Sequence, residues 1–76
     1  MTKKQFDESL RNLLRRRPFV PIEVALRDGD RFVIDRPDAV STDGGSAGFI
    51  DAEGEIRFFN SETVQEIGNS INGVSA

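Results

Sequence analysis

The chain has 76 residues, ten Lys and Arg against thirteen Asp and Glu, a net charge of −3, and neither cysteine nor histidine. That length allows one domain, which buries only about 60–65% of the surface its unfolded form exposes. Disulfides are excluded and structural zinc is excluded in practice, so stability rests on an apolar core, with self-association as the remaining supplement.

The first element is a helix over about residues 3–16. Thr2 and Gln5 have capping-box spacing, and Phe6, Leu10, Leu13 and Leu14 fall on one helical stripe. Asp7 precedes Arg11 by four residues, the spacing of an ion pair on the exposed side. Arg15, Arg16 and Arg17 fall in the last turn, where cations meet unpaired carbonyls. Pro18 ends the helix and Pro21 keeps the following chain extended, so RRRPFVPIEV reads as a stiff elbow between helix and sheet.

A hairpin follows. Ile22, Val24 and Leu26 alternate with Glu23, Ala25 and Arg27, and Phe32 and Ile34 alternate after the turn. A three-residue loop Arg27-Asp28-Gly29 opposes Val24 to Phe32 and Ile22 to Ile34, with glycine at the left-handed position that such a loop requires. Residues 36–48 carry turn chemistry: Val40 adds one or two strand residues, and Asp43-Gly44-Gly45-Ser46 reads as a mobile loop. A second hairpin around Ala52-Glu53-Gly54 opposes Ile50 to Ile56 and Gly48 to Phe58. The end of the chain admits either a helix capped at Thr63 and carrying Val64, Ile67 and Ile71, or a short strand over Val64–Ile67. Gly68 and Gly73 would interrupt the helix, which favours the strand, and residues 69–76 are expected to fray.

Several residue groups invite a functional reading. Lys3, Lys4, Arg11, Arg15, Arg16 and Arg17 form a basic front: residues 1–27 carry +4 and residues 28–76 carry −7. Phosphate contacts are one reading; helix-end charge placement, with aliphatic stems over the core, is the other. Tyr and Trp, which would supply stacking platforms, are absent. Phe6, Phe32 and Phe58 fit inward positions. Phe19, Phe49 and Phe59 are harder to place, and Phe59, beside Phe58, is expected to face outward near a strand edge, where an exposed aromatic marks a partner or self-association.

Asp51, Glu53 and Glu55 depart early from a calcium-loop pattern and fall on the solvent side of a hairpin. DGGSAG lacks the Gly-Lys-Ser/Thr of a phosphate loop and precedes no helix. Without histidine, the serines have no good base, and a domain this small has little room for a pocket that shifts a carboxyl pKa.

At RPFVPIEVALRDGDRFVIDRPDAV, with QFDESLRNLL before it, the chain resembles a group of short uncharacterised bacterial proteins. They share a helix, a Pro-Phe-x-Pro elbow, a strand, Asp-Gly, a second strand and a Pro-acidic turn. The resemblance covers about residues 5–40, reaches 47–67 in general pattern, and brings no activity with it. Ile22-x-Val24-x-Leu26-x-Asp28-Gly29-x-x-Phe32 is also similar to the start of the first Sm motif. The second glycine of that motif falls at Ile34, and the Asp-x-apolar-Asn RNA-contact group is missing. The likeness therefore implies a shared fold rather than shared binding of uridine-rich RNA.

The expectation is a single α+β domain over residues 1–68, with a tail at 69–76. Its helix packs on a small bent antiparallel sheet of four to five strands, SH3- or Sm-like and closing toward a partial barrel. The expected function is a non-enzymatic interaction module, self-associating through a strand edge at Phe59 and Phe49. The alternative is a nucleic-acid binder using Lys3, Lys4, Arg11, Arg15, Arg16 and Arg17. No cofactor, metal or membrane partner is expected. The first ten residues lack the apolar stretch of a signal peptide and no run could span a bilayer, so the expected location is the cytoplasm.

Overall fold

The computed structural model describes residues 1–69. Helix α1 (Lys3–Arg15) opens on the expected capping box: Thr2 Oγ1 accepts from Gln5 N–H, and Gln5 Oε1 accepts from Thr2 N–H, both at 3.0 Å. It is followed by strands β1 (Ile22–Leu26), β2 (Arg31–Ile34), β3 (Val40–Asp43), β4 (Ser46–Ile50), β5 (Ile56–Asn60) and β6 (Val64–Asn69), with a single 3-10 turn at Pro37–Ala39 between β2 and β3. Two antiparallel sheets of three strands result, ordered β2-β1-β6 and β3-β4-β5. The fold is α+β with six strands among the described residues, more than the four to five expected, and the sheets do not close into a barrel.

Both hairpin registers are as the sequence implies. Ile22 faces Ile34 and Val24 faces Phe32; Gly48 faces Phe58 and Ile50 faces Ile56. Each loop has three residues with glycine third, at φ +96° for Gly29 and +83° for Gly54. Each is closed by a backbone bond, Leu26 N–H to Asp30 C=O in one and Asp51 N–H to Glu55 C=O in the other. The segment after Thr63 is strand rather than helix, and it pairs with β1 past Ile67 as far as Asn69. Asn69 thus belongs to the sheet rather than to a tail; residues 70–76, including Ile71 and Gly73, lie outside the described residues.

Residues 40–46 depart from expectation. Val40 begins a four-residue strand, and Asp43 pairs with Ser46 across a two-residue turn. Gly44 and Gly45 take φ +45° and +92° there, the mirror-type turn that matches strand twist. The supposed mobile loop is thus a hairpin, held from outside by α1: Gly45 N–H donates to Asp7 Oδ1 at 2.8 Å. That bond takes Asp7 away from the expected pair with Arg11, and the ion pair along α1 is instead Lys4–Glu8.

The apolar stripe of α1 lies against β4 from one sheet and β6 from the other. Phe6 and Leu10 are fully buried there, and Leu13 and Leu14 pack at the margin. The centre is aromatic. Phe59 of β5 stands 5.7 Å from Phe6 and 5.3 Å from Phe32, and Phe32 stacks on Phe49 at 6.2 Å between ring centroids. One contact set thus ties the helix to both sheets, with Ile22, Val24, Ile34, Ala47 and Val64 filling the remainder.

Of the aromatics expected inside, Phe6 and Phe32 are in the core and Phe58 is not. Phe49 and Phe59 are 1% and 2% exposed, whereas Phe58 is 77% exposed. The register of β4 on β5 is right but its faces are exchanged. Ala47, Phe49 and Phe59 turn inward because the partner rings Phe6 and Phe32 lie on that side.

Candidate interaction surface

Alternation along β4 and β5 sends Gly48, Ile50, Ile56 and Phe58 to the face opposite the core. Ile50 and Ile56 form one cross-strand pair and Gly48 and Phe58 the next. A Cβ built on Gly48 would stand 3.4 Å from the Phe58 ring, so the ring lies over the glycine. With Ile50 48% and Ile56 56% exposed, three large apolar side chains share one outer patch.

The patch borders an open strand edge, because β5 is the last strand of its sheet. Which β5 backbone groups are open follows from the ladder. At its two ends Asp51 N–H donates to Glu55 C=O and Ser61 N–H donates to Gly45 C=O. Bonded pairs alternate in an antiparallel ladder, so Arg57 and Phe59 turn their backbone groups toward β4. Ile56 and Phe58 present theirs to the open side, and Asn60 N–H is taken by Thr63 Oγ1 at 3.1 Å.

Arg57, the single charge on β5, does not guard this edge. Its guanidinium pairs with Asp51 at 3.4 Å and Asp30 at 3.7 Å and lies 5.4 Å over the Phe32 ring. Asp51 is turned in rather than projecting to solvent with Glu53 and Glu55. Its Oδ1 accepts from Glu53 N–H and Glu55 N–H, both at 3.0 Å. The backbone bond from Glu55, supported by that from Glu53 and by Arg57, holds the carboxyl below its ordinary pKa against an opposing effect of desolvation. The carboxylate organises the β4–β5 loop. No group of three or more potential metal ligands occurs among the described residues.

The basic residues do not gather into one patch. Lys3, Asp7, Arg11 and Arg15 recur every fourth position down one flank of α1. Arg11 and Arg15 line a cleft of about 250 Å³ with Asp7, Leu14, Thr42 and Gly44, and the Lys3 stem crosses Gly45. Lys4 is on another flank with Glu8. Only Arg15 lies in the last helical turn; Arg16 is the cap residue. Arg17 reaches back to donate to the carbonyls of Leu14 (2.9 Å) and Arg16 (2.8 Å), as a helix end invites.

The expected partner residues Phe59 and Phe49 are thus core, and Phe58, Ile56 and Ile50 stand at the surface in their place. The adjacency of two phenylalanines is the sequence signal that one of them had to face out. No helix among the described residues is long and apolar enough to cross a membrane. No protein-family model, curated protein or solved structure matches the chain.

Proposed function

We propose that this protein is a non-enzymatic interaction module that self-associates through the β5 edge, with Phe58 as its anchor. The observation that carries the reading is Phe58 itself, 77% exposed on an edge strand and flanked by Ile50 and Ile56. Edge strands in monomeric proteins are usually blunted by charge, proline or a bulge, and β5 has none of these facing out. A domain of this size also gains most from burying further apolar area. The strand succession supports an SH3- or Sm-like reading of the fold: β6-β1-β2 continues through Pro37–Ala39 into β3-β4-β5. The lack of cysteine fits a reducing cytoplasm.

Sedimentation tests the proposal: a mass above 8.4 kDa is expected, falling to the monomer in Phe58→Ser. A strict monomer at millimolar concentration would remove it.

The second reading, nucleic-acid binding, has its own observation. Lys3, Arg11 and Arg15 share one flank and have no carboxylate partner among the described residues. Phosphate contacts would make retention on heparin salt-sensitive, whereas association through an apolar patch persists at high salt. Wild-type elution after Lys3, Arg11 and Arg15 are all changed to Ser would end that reading.

A further inference from the structure

We infer that the cleft between α1 and the β3–β4 hairpin binds a single terminal phosphate, held by Arg11, Arg15 and the Gly44 N–H. The site does not involve β5 and is independent of the self-association proposed above. Its cleft, about 250 Å³, has Asp7, Arg11, Leu14 and Arg15 on the helical wall and Thr42 and Gly44 on the other.

The two arginines have no structural task. Cations near a helix end ordinarily serve unpaired carbonyls, but Arg17 already donates to those of Leu14 and Arg16. Arg11 lies in the body of α1, and neither Arg11 nor Arg15 has a carboxylate partner among the described residues. Like charges one turn apart disfavour a helix, and an anion seated between them offsets that repulsion.

The facing wall supplies neutral donors. Thr42 opposes Ala47, a core residue, and cross-strand partners share a face, so Thr42 stands on the helical side of its sheet. Gly44 and Gly45 are both left-handed, at φ +45° and +92°. Successive N–H groups in such a turn form an anion-binding concavity. One of them already holds an anion, since Gly45 N–H donates to the Asp7 carboxylate. Gly44 N–H, beside it, has no acceptor among the described residues.

The charge pattern favours one phosphate over a nucleic-acid backbone, although the second reading above uses the same arginines. Asp7 stands one turn before Arg11 and interrupts the row of cations, so a following backbone phosphate would meet a carboxylate. A terminal phosphate carries roughly two negative charges and three acceptor oxygens, which match two guanidinium forks and one N–H.

An NMR titration of the full chain tests the site, with the Gly44 amide as local reporter. Sodium phosphate at about pH 7.5, above a phosphomonoester's second pKa of roughly 6, should shift Gly44 saturably. Sodium chloride at equal ionic strength should not. Arg11→Gln combined with Arg15→Gln should weaken binding by at least about tenfold, through loss of two charged hydrogen bonds. Lys4→Gln combined with Arg27→Gln removes the same charge elsewhere and should leave binding unchanged. Asp7→Asn keeps an oxygen for Gly45 N–H, removes the opposing charge and should tighten binding. Glycerol phosphate, titrated in parallel, separates the sources: tighter binding than inorganic phosphate assigns the site to a phosphomonoester, and weaker binding to the free ion. A Gly44 shift no larger in phosphate than in chloride would overturn the site, as would equal affinities in the two double variants. An oligonucleotide without terminal phosphates that shifts Gly44 at a lower phosphate concentration than the inorganic ion would overturn it in favour of backbone binding.

Discussion

Phe58 faces Gly48 across the β4–β5 ladder, and its ring edge lies 3.4 Å from where a Gly48 Cβ would stand. Glycine leaves a slot in the outer face, and the aromatic ring covers it. Gly48→Ala is expected to fit at the limit of ordinary contact and to raise stability by up to about 0.5–1 kcal/mol, from backbone entropy. Gly48→Leu would displace the ring, leaving the urea midpoint near that of the wild type and weakening association in sedimentation.

The two adjacent phenylalanines should separate stability from association. Phe59→Ala removes the ring that touches both Phe6 and Phe32, and a cost of roughly 3–5 kcal/mol is expected. Phe58→Ser removes an exposed ring and should shift monomer stability by no more than about 0.5 kcal/mol. Urea denaturation of the two variants at one low protein concentration checks the contrast, and equal losses would contradict the burial pattern.

Asp7 acts as a clamp from α1 onto the β3–β4 turn through Gly45 N–H. Asp7→Ala leaves that half-buried donor without its acceptor and should cost about 1–2 kcal/mol. Asp7→Asn keeps an oxygen in place and should lose less than Asp7→Ala. Amide exchange at Gly45 gives the local readout: it should accelerate in Asp7→Ala and stay slow in Asp7→Asn.

Asp51 predicts an acid dependence. Its folded pKa lies below the ordinary 3.8, chiefly because Glu55 N–H bonds the carboxylate. A depressed folded pKa means that the unfolded chain binds the proton more readily. The stabilisation is therefore fully present above the unfolded value and is lost as pH falls through the folded one. The thermal midpoint should decline below about pH 4, and Asp51→Asn, less stable at neutral pH, should decline less steeply.

Much of the architecture is legible from short-range chemistry. Thr2 and Gln5 mark the helix start, and the Phe6–Leu14 stripe marks its buried face. Gly29 and Gly54, each third in a loop, set both long hairpins to the residue. The third hairpin was obscured because Gly44-Gly45 serves a flexible loop and a two-residue turn equally well. What makes it a turn is the strand pairing of Val40–Asp43 with Ser46–Phe49 and the Asp7 clamp 38 residues away in sequence.

The candidate surface was legible in kind but not in place. Ile56-Arg57-Phe58-Phe59 has apolar side chains on both faces of the strand, and Ala47-Gly48-Phe49-Ile50 is equally undecided. Either face of that hairpin can enter the core without breaking its ladder.

Sequence alone thus determined the helix, two registers and the existence of one surplus aromatic face, because each follows from neighbours within a few residues. Only the tertiary structure decided that Phe59 goes in and Phe58 stays out. That choice depends on where Phe6 and Phe32, distant in the chain, bring their rings to meet it.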